Sequence, residues 1–143
     1  MKHSMNTLQS AKSKFLLLFC LFVYATNFSQ DVATNANAGV LSFESDEIDY
    51  GTIHQNDNGE RTFTFTNTGK APIVISNVKT SCGCTVPSYS KTPILPGQTS
   101  EIKVKYATNR LGAFKKTITV MSNASESNKM LKIKGEVLAI EEQ

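Results

Sequence analysis

Cys82 and Cys84 are the residues of this chain most able to do chemistry. They stand two apart in the run Ser81-Cys82-Gly83-Cys84-Thr85, and the third cysteine, Cys20, lies far upstream. Two cysteines at this spacing can bring their α-carbons within the roughly 4.4–6.8 Å that a disulfide spans, and Gly83 is expected to let the backbone bend between them. Three chemistries fit. The leading one is a local disulfide clasp, since thiols this close pair in an oxidising compartment. Closing so short a loop contributes only about 1.6 kcal/mol, little for a structural staple. The second is soft-metal binding, because two thiolates suit Cu(I). A closed zinc site needs about four ligands, and beyond the leader described below His54 is the only histidine left to help. The third is thiol–disulfide exchange, which a tight ring favours. The redox motif normally expected is Cys-x-x-Cys at a helix N-terminus, and Cys-Gly-Cys between strands lacks that support.

The remaining reactive side chains do not form an enzyme's constellation. His54 sits in the polar turn H-Q-N-D-N-G, and the carboxylates Glu44, Asp46, Glu47 and Asp49 cluster near a first strand, where they are expected to face solvent. The chain carries no phosphate-binding glycine loop, no HExxH and no GxSxG. We expect no catalysis and no cofactor.

Export decides how the cysteines are read. Residues 15–25, FLLLFCLFVYA, are eleven apolar or small residues preceded by Lys2, Lys12 and Lys14 and by no acid. A basic start and a short apolar run describe a secretory signal over 1–29, cut just after Ser29. The run falls short of the about 20 residues a spanning helix needs. Cys20 follows Leu18 and Phe19 rather than small residues, so it is read as part of the signal and not as a lipidation site. No later stretch reaches spanning length. The expected product is secreted or periplasmic.

After a flexible segment over 30–39, the rest, 40–140, is written in twos. Phe63 and Phe65 alternate with Thr62, Thr64 and Thr66; Ile102, Val104 and Tyr106 with Lys103 and Lys105. Ile118 and Val120 alternate with Thr117 and Thr119, and Leu131 and Ile133 with Lys132 and Lys134. Such alternation marks strands with one buried face. Turn residues fall between them at Asn67-Thr68-Gly69, Pro96-Gly97 and Gly112, and Pro72 opens a strand over 73–78. The pattern predicts an all-β, immunoglobulin-like β-sandwich of about seven antiparallel strands. Its core is expected to hold Phe43, Ile48, Phe63, Phe65, Ile75, Val104, Phe114, Ile118, Val120 and Ile133.

Without the leader's three lysines, twelve basic residues face twelve acidic ones, which disfavours a nucleic-acid partner. The charge is uneven, with seven acids and no base over 31–60. Mutual neutralisation is the plain reading; the functional one makes Lys103, Lys105, Lys132 and Lys134 a positive face for an anionic partner.

Several strings together carry a family resemblance. They are I-D-Y-G-T-I (48–53), F-T-F-T-N-T-G-K-A-P-I-V-I (63–75), S-C-G-C-T-V-P (81–87), P-I-L-P-G (93–97), G-A-F-K-K-T-I-T-V-M-S-N (112–123) and L-K-I-K-G-E-V (131–137). The chain resembles an exported bacterial family, number 1573 among the domains of unknown function, which is similar to immunoglobulin-like modules of major sperm protein and hydin type. The resemblance spans about 90 residues. In the family an aromatic residue often follows the Cys-Gly-Cys-Thr-x-Pro string directly, whereas here Ser88 precedes Tyr89. The resemblance implies the fold and export, and no established reaction.

These readings converge on an exported binding or structural module whose partner is a protein or cell-envelope component. Its expected functional surface is the loop Thr80–Tyr89, comprising Ser81, Gly83, Thr85, Pro87 and Tyr89 around the cysteines. The alternative is a small Cu(I)-binding or thiol-redox protein using Cys82 and Cys84.

Overall fold

Period-two alternation sends successive side chains to opposite faces of a strand. The structure, a computed structural model describing residues 36–140, follows that rule. The expected signal and residues 30–35 of the expected flexible segment lie outside the described residues. Eight strands form: β1 (Leu41–Phe43), β2 (Glu47–His54), β3 (Glu60–Asn67), β4 (Ile75–Thr80), β5 (Thr85–Tyr89), β6 (Thr99–Tyr106), β7 (Gly112–Ser122) and β8 (Asn128–Leu138). One sheet has the order β1-β3-β6-β5 and the other β2-β8-β7-β4. Phe63, Phe65, Ile102 and Val104 of the first sheet and Ile118, Val120, Leu131 and Ile133 of the second are buried in one core. No helix among the described residues is long and apolar enough to cross a membrane.

The architecture is the expected β-sandwich, with differences of detail. The strands number eight, and β2 runs parallel to β8, pairing Glu47 with Lys132 and Ile53 with Val137. Alternation reads the same in both directions, so it carries no information on strand polarity. Phe43 and Ile48 are only half-buried because they lie on the edge strands β1 and β2. The strand expected at 73 begins at Ile75 instead. Ile73 forms a separate bridge, exchanging backbone bonds of 2.9 and 2.8 Å with Ile94. Val74 donates its N–H to Asn123 Oδ1 at 2.7 Å, which takes the chain out of the ladder there. Backbone bonding also starts before the expected boundary at 40, with Ala38 O accepting from Lys70 and Gly39 O from Ser125.

One end of the sandwich is tied by Asn67, whose side chain is fully buried at 0% exposure. Its Oδ1 accepts from Val40 N at 3.2 Å and Gly69 N at 3.0 Å; its Nδ2 donates to Ala71 O at 2.9 Å and Ile94 O at 3.0 Å. Every hydrogen-bonding valence it can supply in this setting is used, which is what permits a buried amide. A Cβ on Gly69 would collide with the Ala38 carbonyl and Val40 N, so glycine is required there by close approach.

The other end is aromatic. Phe114 stacks on Tyr106 with centroids 3.8 Å apart and meets Tyr50 edge-on at 5.3 Å. Gly135, opposite Phe114 in the ladder, leaves the space that Tyr50 and Phe114 occupy. Tyr50 donates its hydroxyl to Gly59 O at 2.9 Å, and the Arg61 guanidinium lies 4.3 Å from its ring centroid. Burial pushes the Tyr50 phenol up to about 12.

Candidate functional site: the cysteine corner

β4 is an edge of one sheet and β5 an edge of the other, so the four residues between them, Ser81 to Cys84, carry the chain across the side of the sandwich. The crossing is fastened to both sheets. Ser81 N donates to Thr117 O at 2.9 Å, and Thr117 N donates back to Ser81 Oγ at 3.1 Å, tying the corner to β7. Cys84 O accepts from Ala107 N at 2.8 Å, tying it to the end of β6. Thr80 Oγ1 lies 2.8 Å from Cys82 O and 3.1 Å from Thr85 O, its one proton shared between the two carbonyls. Within this bracket the sulfurs of Cys82 and Cys84 stand at disulfide distance, with α-carbons 5.3 Å apart.

The two sulfurs have different surroundings. Cys84 is 5% exposed and belongs to the core cluster, with Thr85 Oγ1 4.0 Å from its sulfur. Cys82 is half-buried between exposed Ser81 and Gly83. Gly83 does not play its expected part. Its φ is not positive, and a Cβ built on it would meet nothing within 4 Å. The corner therefore bends without needing a glycine.

The expected loop Thr80–Tyr89 is mostly strand. Thr85, Pro87 and Tyr89 share the inward-facing side of β5, with Thr85 buried and the other two half-buried, while Ser88 and Val86 face out. Val86 is 63% exposed, and nothing in the sequence marks it, since a lone valine carries no chemical signal. Pro87 and Ser88 interrupt the apolar pattern of this strand, so alternation does not reveal it.

Register explains the proline. Cys84 and Ala107 make a hydrogen-bonded pair, so in the antiparallel ladder Val86–Lys105 and Ser88–Lys103 are the next such pairs. Thr85, Pro87 and Tyr89 then turn their backbone groups to the free edge. Pro87 has no N–H to offer there, and the Thr85 carbonyl is already taken by Thr80 Oγ1. Open edges invite unwanted pairing, and a proline on the edge is a standard protection.

The other candidate groups lie elsewhere and serve local structure. His54 Nδ1 is 3.8 Å from Asp57 Oδ2, and that same oxygen accepts the His54 N–H at 2.7 Å. Asp46 pairs with Lys129 at 2.8 Å, Glu47 with Lys134 at 2.6 Å, and Asp49 with Lys134 at 3.6 Å. The hydrogen bond from Lys134 holds the Glu47 carboxyl below its ordinary range, and Lys134 is raised in turn. Among the described residues no group of three or more His, Cys, Asp or Glu side chains is placed to hold a metal ion. The expected positive face does not form. Lys103 and Lys105 lie on β6 of one sheet, and Lys132 and Lys134 on β8 of the other. Alternation identifies an outward row but not the sheet that carries it.

Two stacked four-stranded sheets with a short crossover of this kind define an immunoglobulin-like β-sandwich. The chain belongs to the DUF1573 family of proteins of unknown function, whose model matches residues 41–137. Among solved structures it is similar to a protein of unknown function from Porphyromonas gingivalis, with a TM-score of 0.62 and 20% identity over 77% of this chain and 51% of that one. The chain thus spans about half the length of that protein. It is similar as well to a human CEP192 ASH/PapD-like domain (TM-score 0.60, 8% identity, 73% of this chain and 89% of that one). A third similarity is to a chain of the CsuC-CsuE chaperone–tip adhesion subunit complex of Acinetobacter baumannii (TM-score 0.51, 11% identity, 68% and 57%). None of the curated proteins matches.

Proposed function

We propose that this protein is an exported, non-enzymatic binding module that captures a protein or envelope component on the surface formed by the cysteine corner and the outer face of β5. The observation that carries the reading is the pairing of a rigid corner with an exposed apolar side chain. Val86 stands 63% exposed two residues beyond a turn that is hydrogen-bonded to both sheets. A preordered surface loses little entropy on binding, and loops held by a rigid scaffold are where sandwich domains bind. Because Pro87 and the Thr80 bracket close the β5 edge, capture uses side chains and the turn rather than strand addition there. Two sulfurs at disulfide distance support a closed pair rather than two thiolates held for Cu(I). The similarity to a chain of a complex between a chaperone and an adhesion subunit supports a protein partner, and the basic, apolar leader supports export.

Site-specific photo-crosslinking in the native host tests this. A photoreactive residue at Ser81 or Val86 is expected to give a discrete adduct, and one at Met130, exposed on the second sheet, none. Adducts from Met130 with none from the corner would overturn the assignment.

A further inference from the structure

We infer that the Cys82–Cys84 pair is a one-sided exchange site: an external thiolate enters at Cys82 and not at Cys84, and opening the pair loosens the bracket that closes the head of β5. The inference does not depend on which partner the surface takes. Exchange proceeds by attack of a thiolate on one sulfur through a mixed disulfide. The nucleophile approaches in line, from the side opposite the sulfur that leaves. Attack on Cys84 would have to come through the core, where that residue is 5% exposed among buried side chains. Cys82 is half-buried at the margin of the core and flanked on both sides by exposed residues, so it is the sulfur a thiolate from solvent reaches.

The step balances with a thiol as the named co-reactant. The incoming thiolate forms a new sulfur–sulfur bond to Cys82 as the Cys82–Cys84 bond breaks. The electron pair leaves on Cys84, which takes a proton from water. With a single thiol on the partner the sequence stops there, and Cys82 is covalently joined to it until Cys84 attacks back. With a dithiol, the second thiolate attacks its own sulfur in the mixed disulfide and releases Cys82 as a thiolate. The dithiol is then oxidised by two electrons and the protein pair reduced by two.

The mechanical consequence follows from Thr80. Its hydroxyl sits 2.8 Å from Cys82 O, which belongs to the Cys82-Gly83-Cys84 ring, and 3.1 Å from Thr85 O, which belongs to β5, so it joins the ring to the head of the strand. Opening the ring frees the Cys82 arm and uncovers the Thr85 carbonyl at the free edge. The affected segment is Ser81–Tyr89. The Asn67 junction belongs to the other end of the molecule and shares no hydrogen bond with the corner.

Two readouts on the full chain test this. Cys84→Ser leaves the Cys82 thiol and Cys82→Ser leaves the Cys84 thiol; each is incubated with oxidised glutathione, and the corner peptide is weighed over time. Adduct formation is expected to be at least about tenfold faster at Cys82, in keeping with the dependence of thiol reactivity on exposure. Equal rates, or faster reaction at Cys84, would overturn the inference. The wild-type protein supplies the second readout, so a variant that misfolds does not remove the test. Amide hydrogen exchange with and without dithiothreitol should rise over residues 81–89 and stay unchanged around Asn67. No rise there, or a rise across the whole sandwich, would equally overturn it.

Discussion

The sandwich is closed by two clasps of opposite kind. At one end a single amide, Asn67, holds four backbone groups on three segments with four hydrogen bonds, reaching partners 27 residues away in both directions. At the cysteine corner two sulfurs stand at bonding distance but join residues only two apart. Covalent strength is a poor guide to structural importance. A link between near neighbours removes little freedom from the unfolded chain. A buried amide whose partners would otherwise be stranded without hydrogen bonds carries the larger cost of loss. Of the two clasps the asparagine is thus the larger structural contributor.

Breaking the first clasp should have the largest effect. Asn67→Ala strands the Val40 and Gly69 N–H groups and the Ala71 and Ile94 carbonyls, and a loss of at least about 3 kcal/mol is expected in denaturant unfolding. Asn67→Asp should be nearly as damaging, since a carboxylate cannot donate to the two carbonyls. The aromatic end gives the next effect, through pH. Burial pushes the folded Tyr50 phenol up to about 12 against an ordinary 10, so its contribution is intact below pH 10 and is lost as pH rises towards 12. Partial screening by solvent holds the loss to at most about 2 kcal/mol. Tyr50→Phe should flatten that part of the alkaline stability profile, read by urea midpoints at stepped pH.

Breaking the second clasp sharpens the contrast. Cys82→Ser with Cys84→Ser together should cost only about 1.6 kcal/mol and leave the sandwich folded. A loss as large as that of Asn67→Ala would reverse the ranking of the two clasps. Smallest of all, Gly83→Ala should lie within about 0.5 kcal/mol of wild type, because the position has an ordinary φ and open space around it. Thermal melts of the two variants side by side measure both.

Much of this was legible in the residues. Phe63 and Phe65 on one side, with threonines between, dictated the inner face of β3, and the alternating rows of β6, β7 and β8 did the same. The cysteine spacing located the corner. Strand polarity was not legible, so β2 beside β8 could not be read as parallel. Asn67 looked like turn chemistry because its role depends on Val40 and Ile94, which only the fold brings near. Pro87 hid β5 for the reason it is useful there: it breaks the pattern of a paired strand while sitting where no N–H is needed.

The most direct test of the reading is the mass of the protein isolated from its native host, taken intact and again after thiol alkylation, with the peptide carrying Cys82 and Cys84 resolved. The expected result is a metal-free protein whose corner peptide gains no alkyl group until a reductant is added. Bound copper, or two readily alkylated thiols at rest, would make the pair itself the chemistry and contradict a binding module built on a closed corner.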